Sequence, residues 1–177
     1  MIILIVCILL CFFFIWYINV YNKFQEYIIR INEAEANIDS VLRKRFDLLN
    51  KSIGIIKTNT KEKGEILTVI DELRSKMLSN FELDRVLYDA LNEFHTYSLK
   101  YDELKRNDAF TKIEIGLNES EAEITAFRKY YNDIITNYNK LAKVFPSVIV
   151  AKLCKYKAKT YYDGKNMEDD IINDFKL

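Results

Sequence analysis

Every residue from Ile2 to Ile18 is apolar, and beyond Val20 the pattern changes to apolar positions three or four residues apart. A helix rises about 1.5 Å per residue, so the opening run covers about 26 Å. Val20 and Tyr21 extend it towards the ~30 Å hydrocarbon core of a bilayer. Ile31, Ala34, Ile38, Leu42, Phe46, Leu49, Ile53 and Ile56 then mark one face of a helix. No Gly or Pro lies between Val20 and Gly54, so this helix is expected to grow straight out of the apolar run. A second stripe runs Ile66, Ile70, Leu73, Met77, and a third Leu83, Leu87, Leu91, Phe94, Tyr101, Leu104. A fourth runs Phe110, Ile113, Leu117, Ile124, Phe127, Tyr131, Ile134, Tyr138, Leu141, Phe145. Turns are expected at 57–64, around Asn59 and Gly64, at 79–82, with Asn80 as the helix N-cap, and at 106–109. Pro146 ends the fourth stripe, because it lacks an N–H and forces Phe145 out of the helical region. Ser147–Tyr162 reads as a short last helix, and an acidic tail with Asp163, Glu168, Asp169, Asp170 and Asp174 surrounds and follows Gly164.

The pattern predicts an all-α protein. A transmembrane helix occupies residues 1–20, an antiparallel helical bundle of four-helix type residues 21–162, and the acidic tail residues 163–177. One continuous coiled coil is the alternative, and the three turn signals argue against it. Composition narrows the classes further. Four Gly and one Pro do not supply the turns of a sandwich or barrel, and a 50% hydrophobic chain is not disordered. At 177 residues it is not a large multidomain protein. Net charge is zero, but residues 1–18 hold no charge, so the remainder is more highly charged than the 29% average of the whole chain.

The apolar run reads as an uncleaved anchor. A secretory signal needs a basic start and small residues at a cleavage site. No Lys or Arg precedes Lys23, and the exit Trp16-Tyr17-Ile18-Asn19 is bulky throughout. Trp16, Tyr17 and Tyr21 suit a membrane–water interface. Lys23, Arg30 and Arg43-Lys44-Arg45 all follow the run, which predicts the N-terminus outside and the body in the cytoplasm, at the cell membrane. Cys7, Cys11 and Cys154 form neither a disulfide framework nor a zinc motif. Cys7 and Cys11 read as small apolar membrane residues, with palmitoylation as the alternative.

The segment YNKFQEYIIRINEAEANIDSVLRKRFDLLNKSI at 21–53 resembles the start of LemA-family proteins, with Ile38-Asp39, Leu42, Arg45 and Asp47-Leu48 in the positions of its Ile-Asp-x-x-Leu-x-x-Arg-x-Asp-Leu motif. YDELKRNDAF at 101–110 is similar to the family's middle segment. Glu121, Ile124, Arg128, Tyr131-Asn132, Tyr138-Asn139 and Phe145-Pro146 match a further series in order and spacing. Two family prolines are replaced by Asn50 and Asp102, which should make the first helix and the exit of the third more regular. Asn173-Asp174-Phe175 carries a trace of the family's tail motif. The resemblance implies a membrane-anchored helical bundle without enzymatic activity. It also implies, from some members, a link to envelope peptidases.

Asp39, Arg45, Asp47 and Arg128 are the first candidate set. Arg45 falls close to the apolar stripe of the first helix and Arg128 next to Phe127. Charges near a core must be paired. The structural reading pairs the first helix's carboxylates with Arg128 and fixes the bundle register. The functional reading is a polar pocket for a ligand. Tyr131-Asn132 and Tyr138-Asn139 lie seven residues apart and share a helix face, which suits either interhelical packing or a partner-binding stripe. His95 is the only histidine, flanked by Asp89 and Glu93. It is expected at the bundle surface, and a hydrolase built on it is a distant alternative. No phosphate loop, dinucleotide fingerprint or zinc-protease motif occurs, and no cofactor is expected. Between Asp133 and Asp163 no residue is acidic, while Lys140, Lys143, Lys152, Lys155, Lys157 and Lys159 carry six positive charges among Tyr138, Phe145, Tyr156, Tyr161 and Tyr162. Such a segment suits an anionic membrane surface. Its alternative is a solvated face neutralised by the acidic tail. Zero overall charge argues against nucleic acid. The expected function is a non-catalytic scaffold or adaptor with membrane lipid and an unidentified protein as partners. The alternative is a self-assembling structural protein.

Overall fold

The computed structural model describes residues 1–60, 67–73 and 78–162, all helical or irregular and without a strand among them. The acidic tail from Asp163, the tail motif at Asn173-Asp174-Phe175, the second half of the turn expected at 57–64, and Ile66 and Met77 lie outside the described residues. Among the described residues six helices follow in order: α1 (Ile2–Asn59), α2 (Thr68–Leu73), α3 (Asn80–Lys100), α4 (Asp102–Lys105), α5 (Asp108–Lys143) and α6 (Val148–Leu153).

Helix α1 is continuous for 58 residues, as expected where no breaker interrupts the chain. It is long and apolar enough to cross a membrane, and no residue of its apolar window is buried. Helix α3 starts one residue earlier in register than expected. Ser79, not Asn80, is the N-cap: its hydroxyl accepts from Glu82 N at 3.3 Å and Glu82 Oε2 accepts from Ser79 N at 3.0 Å. This reciprocal box satisfies two amide donors that the helix start leaves open. Asn80 turns elsewhere and donates to the Glu35 carbonyl oxygen at 3.1 Å. The exit of the third stripe is not regular. Tyr101 is extended at φ −123° and ψ 98°, and it splits α3 from α4. Asp102 and Glu103 then open α4, which buries Leu104 completely. The break is stabilised by that burial and by two carboxylates at a helix N-terminus, so the missing proline is not needed to make it. Asn107 Oδ1 accepts from Ala109 N and Phe110 N at 3.0 and 3.1 Å and starts α5. The last helix is shorter than expected, Val148–Leu153 rather than Ser147–Tyr162, and Lys155 leaves it with a left-handed φ of 57°.

The chain forms two compact units: Met1–Ala34 with Tyr130–Tyr161, and Glu35–Lys129 with the chain from Tyr162. In the first, Phe24 is fully buried, with its ring 4.5 Å from that of Tyr156 and edge-on to Tyr138 at 5.6 Å. Ile31, Ile134, Ile135, Val150 and Ala151 complete its core. In the second, Ile38, Leu42, Leu49 and Ile56 of α1 are fully buried, as are Leu87 and Phe94 of α3 and Phe110, Leu117 and Ile124 of α5. Phe94 and Phe110 stack at 4.8 Å. Asn80 meets Glu35 and Asp84 meets Arg45, so α3 runs parallel to α1 here. Ser98 bonds Glu114 and Arg128 bonds Asp84, so α5 runs antiparallel to α3. The expectation of short turns between antiparallel neighbours thus holds from α3 to α5, whereas α1 and α3 are joined by the longer chain that contains α2.

Candidate functional site

The buried polar residues of the second unit sit on the apolar stripes themselves. On α1 the buried series runs Ile38, Leu42, Arg45, Leu49, Ser52, Ile56; on α3 it runs Asp84, Leu87, Leu91, Phe94, Ser98. On α5, Ser120 falls between Leu117 and Ile124 at the same spacing. Helical periodicity therefore turns Arg45 and Asp84 inward with the same certainty as the leucines around them.

They meet in one cluster. Arg45 and Asp84 are each 0% exposed, with Nη1 and Oδ1 facing one another at 3.6 Å. Those two atoms have no hydrogen-bond partner, so their attraction is the longer-range Coulombic one. Arg45 also donates from Nη2 to Glu121 Oε2 at 2.6 Å and from Nε to Ser120 Oγ at 3.2 Å. Arg128 donates from Nε to Asp84 Oδ2 at 3.0 Å and from Nη2 to the same oxygen. The Tyr162 hydroxyl lies 3.1 Å from both Asp84 Oδ2 and the Asn80 carbonyl oxygen, and the Arg128 guanidinium sits over its ring at 5.8 Å. Two guanidinium groups and two carboxylates balance in charge. Burial pushes the Arg45 guanidinium below its ordinary range, and Glu121 and Asp84 oppose that fall. Burial, with the Asp84 carboxylate beside it, pushes the Tyr162 phenol far above the usual tyrosine range. Chemically, the cluster holds three helices and Tyr162 in one register.

This corrects the pairing expected for Arg128. Its partner is Asp84 of α3, not Asp39 or Asp47 of α1. Asp39 instead bonds Arg43 one turn away at 2.7 Å on the exposed side of α1, and Asp47 is exposed. Arg45 enters the cluster as the stripe suggested. Asp84, Glu121 and Tyr162 were not expected there. Asp84 falls at helical spacing from Leu87 and Leu91, one position beyond Leu83, where the apolar stripe of the sequence begins.

Tyr131 and Tyr138 are both buried in the first unit, while Asn132 is half-buried. Asn139 Oδ1 accepts from Lys159 N and Asn139 Nδ2 donates to the Lys159 carbonyl oxygen, both at 2.8 Å. The side chain thus takes both backbone groups of Lys159 in the irregular chain after α6. Lys140, Lys143, Lys152, Lys155, Lys157 and Lys159 are all exposed. The aromatic residues among them do not all face outward with them. Tyr138 and Tyr162 are buried, and burial pushes the phenols of Tyr138 and Tyr156 upward. Phe145 alone of the five is fully outward, at 76% exposed. His95 is half-buried against the edge of Phe94, and Glu93 accepts instead from Leu67 N at 3.0 Å. Among the described residues, no group of His, Cys, Asp and Glu side chains is placed to hold a metal ion. A sequence model described as the LemA family matches residues 34–173. No curated protein matches the chain.

Proposed function

The chain belongs to the LemA family, and from that premise we propose that it is a membrane-anchored, non-catalytic scaffold or adaptor. The observation that carries this reading is α1, in which an exposed apolar segment continues without a break into packed helix. A flexible tether would let a body tumble. A continuous helix fixes the angle at which the first unit leaves the bilayer. The interior charges of the second unit are turned on one another rather than towards a substrate, which suits a rigid holder.

The lysines and arginines after the apolar segment favour the cytoplasmic side for the body, with the N-terminus outside and a single crossing of the cell membrane. Membrane lipid is one partner. The other is a protein, and the family resemblance points to an envelope peptidase. The test uses full-length protein solubilised in mild detergent beside a form lacking residues 1–20. One protein recovered in fixed ratio with the anchored form, and lost from the shortened one, supports the reading. Turnover of a substrate by the purified chain, abolished by His95→Ala, would replace it with the hydrolase alternative.

A further inference from the structure

The turn after α5 and helix α6 expose Val144, Phe145, Ile149 and Leu153 at 57%, 76%, 40% and 66%. Single exposed apolar residues are ordinary, but four large ones around one corner mark a surface that something covers. Their position in the first unit says what. Tyr138 of α5 packs on Phe24, while Cys154 at the end of α6 lies 3.4 Å from the Tyr17 hydroxyl. Phe24 and Tyr17 are two turns apart on α1, about 10 Å. Between Tyr138 and Cys154 the chain therefore descends along α1 towards its apolar end. The corner comes to the level of Trp16 and Tyr17, the residue types that settle at a membrane–water interface. Lys140, Lys143, Lys152 and Lys155 flank the corner, all exposed, and no acidic residue occurs from 134 to 162.

We propose that the α5–α6 corner is a second membrane contact, in which Val144, Phe145, Ile149 and Leu153 enter the headgroup–acyl boundary of an anionic leaflet and the four lysines bind the lipid phosphates around them. The assignment rests on the anchor reading of α1. An apolar face ringed by lysine is the chemistry of helices that lie in the interface, and lysine stems reach from such a depth to the headgroups. Each lysine near an anionic surface favours the bound state about fivefold. The contact has a mechanical consequence. A single crossing helix leaves the first unit free to rotate about that helix, and a second contact beside it removes this freedom.

The test uses full-length protein in vesicles of phosphatidylcholine alone, or of equal parts phosphatidylcholine and phosphatidylglycerol, with lipids brominated high on the acyl chains. Trp16 is the only tryptophan, so wild type reports the anchor. Trp16→Phe/Phe145→Trp moves the reporter to the corner at a site whose exposure spares the core. The expected result is quenching of Trp16 in both vesicles and comparable quenching of the introduced indole in the anionic ones. That second signal should fall severalfold in neutral lipid, and on Lys140→Glu/Lys143→Glu/Lys152→Glu/Lys155→Glu. Quenching of Trp16 without quenching at the corner overturns the proposal and leaves the anchor standing. Quenching at neither site overturns both. A blue-shifted, unquenched, concentration-dependent signal at the corner assigns it to a second copy of the chain and overturns the lipid. Quenching that ignores lipid charge and the lysine reversals overturns the anionic assignment.

Discussion

Asp84→Ala removes the carboxylate on which Arg45, Arg128 and Tyr162 converge. Arg45 is fully buried and its Nη1 already has no hydrogen-bond partner, so the loss leaves a buried cation held by Glu121 and Ser120 alone. Breaking a buried pair from one side costs about 3–5 kcal/mol. Arg128 keeps 13% of its side chain in water, which places the expectation at the lower end of that range. For a chain of this size each kcal/mol moves Tm by about 2–4 °C, so a fall of roughly 10 °C is expected. Thermal unfolding of the full-length protein in mild detergent, followed by far-ultraviolet circular dichroism, reads it. Asp39→Ala serves as the control, because its exposed one-turn pair with Arg43 contributes only about 0.3–0.5 kcal/mol. The double change Asp84→Ala/Arg128→Ala should depart from additivity by about 0.5–3 kcal/mol, while Asp39→Ala/Arg128→Ala should add. Additive Asp84 and Arg128 effects, or an Asp84→Ala loss no larger than that of Asp39→Ala, would refute the cluster as the register lock.

Tyr162 holds its proton more tightly folded than unfolded, so its contribution is complete below the ordinary tyrosine value of about 10 and is lost as pH rises beyond it; Tyr162→Phe should flatten the alkaline fall in Tm and lower stability near neutrality by about 1–3 kcal/mol through the donor removed from Asp84. Gly54 sits in α1 with nothing within 4 Å of an added Cβ, so Gly54→Ala should stabilise by about 0.5–1 kcal/mol in the same melt. Gly116→Ala gains less, because its Cβ would stand 3.1 Å from Leu48 Cδ1 and that side chain must shift.

The stripes on α1 were legible because their period needs no partner to recognise: Ile38, Leu42, Leu49 and Ile56 are all buried. The long apolar helix at the N-terminus was legible for a similar reason, an uninterrupted run from Ile2 to Ile18. Asp84 was not, since a carboxylate beside Leu83 reads as the polar edge of a helix until a cation is known to face it. Its cations lie on α1 and α5, far away in sequence, and no local pattern reports them. Phe145 shows the opposite failure. It fits the stripe of α5 by spacing, yet α5 ends at Lys143 and the chain turns at Pro146, which leaves the ring outside. The length of the last helix depended on Asn139, whose side chain takes the Lys159 backbone groups that a continued helix would have used. Exposure of the lysines followed directly from their charge.

The proposed function requires that residues 2–18 hold this protein in a bilayer uncleaved. Membranes from expressing cells, washed with alkaline carbonate and read by intact-protein mass, test it in one measurement. The chain should stay with the membrane pellet and still carry Ile2 through Tyr21 at its N-terminus. Release into the supernatant, or a chain that begins after residue 20, would contradict it.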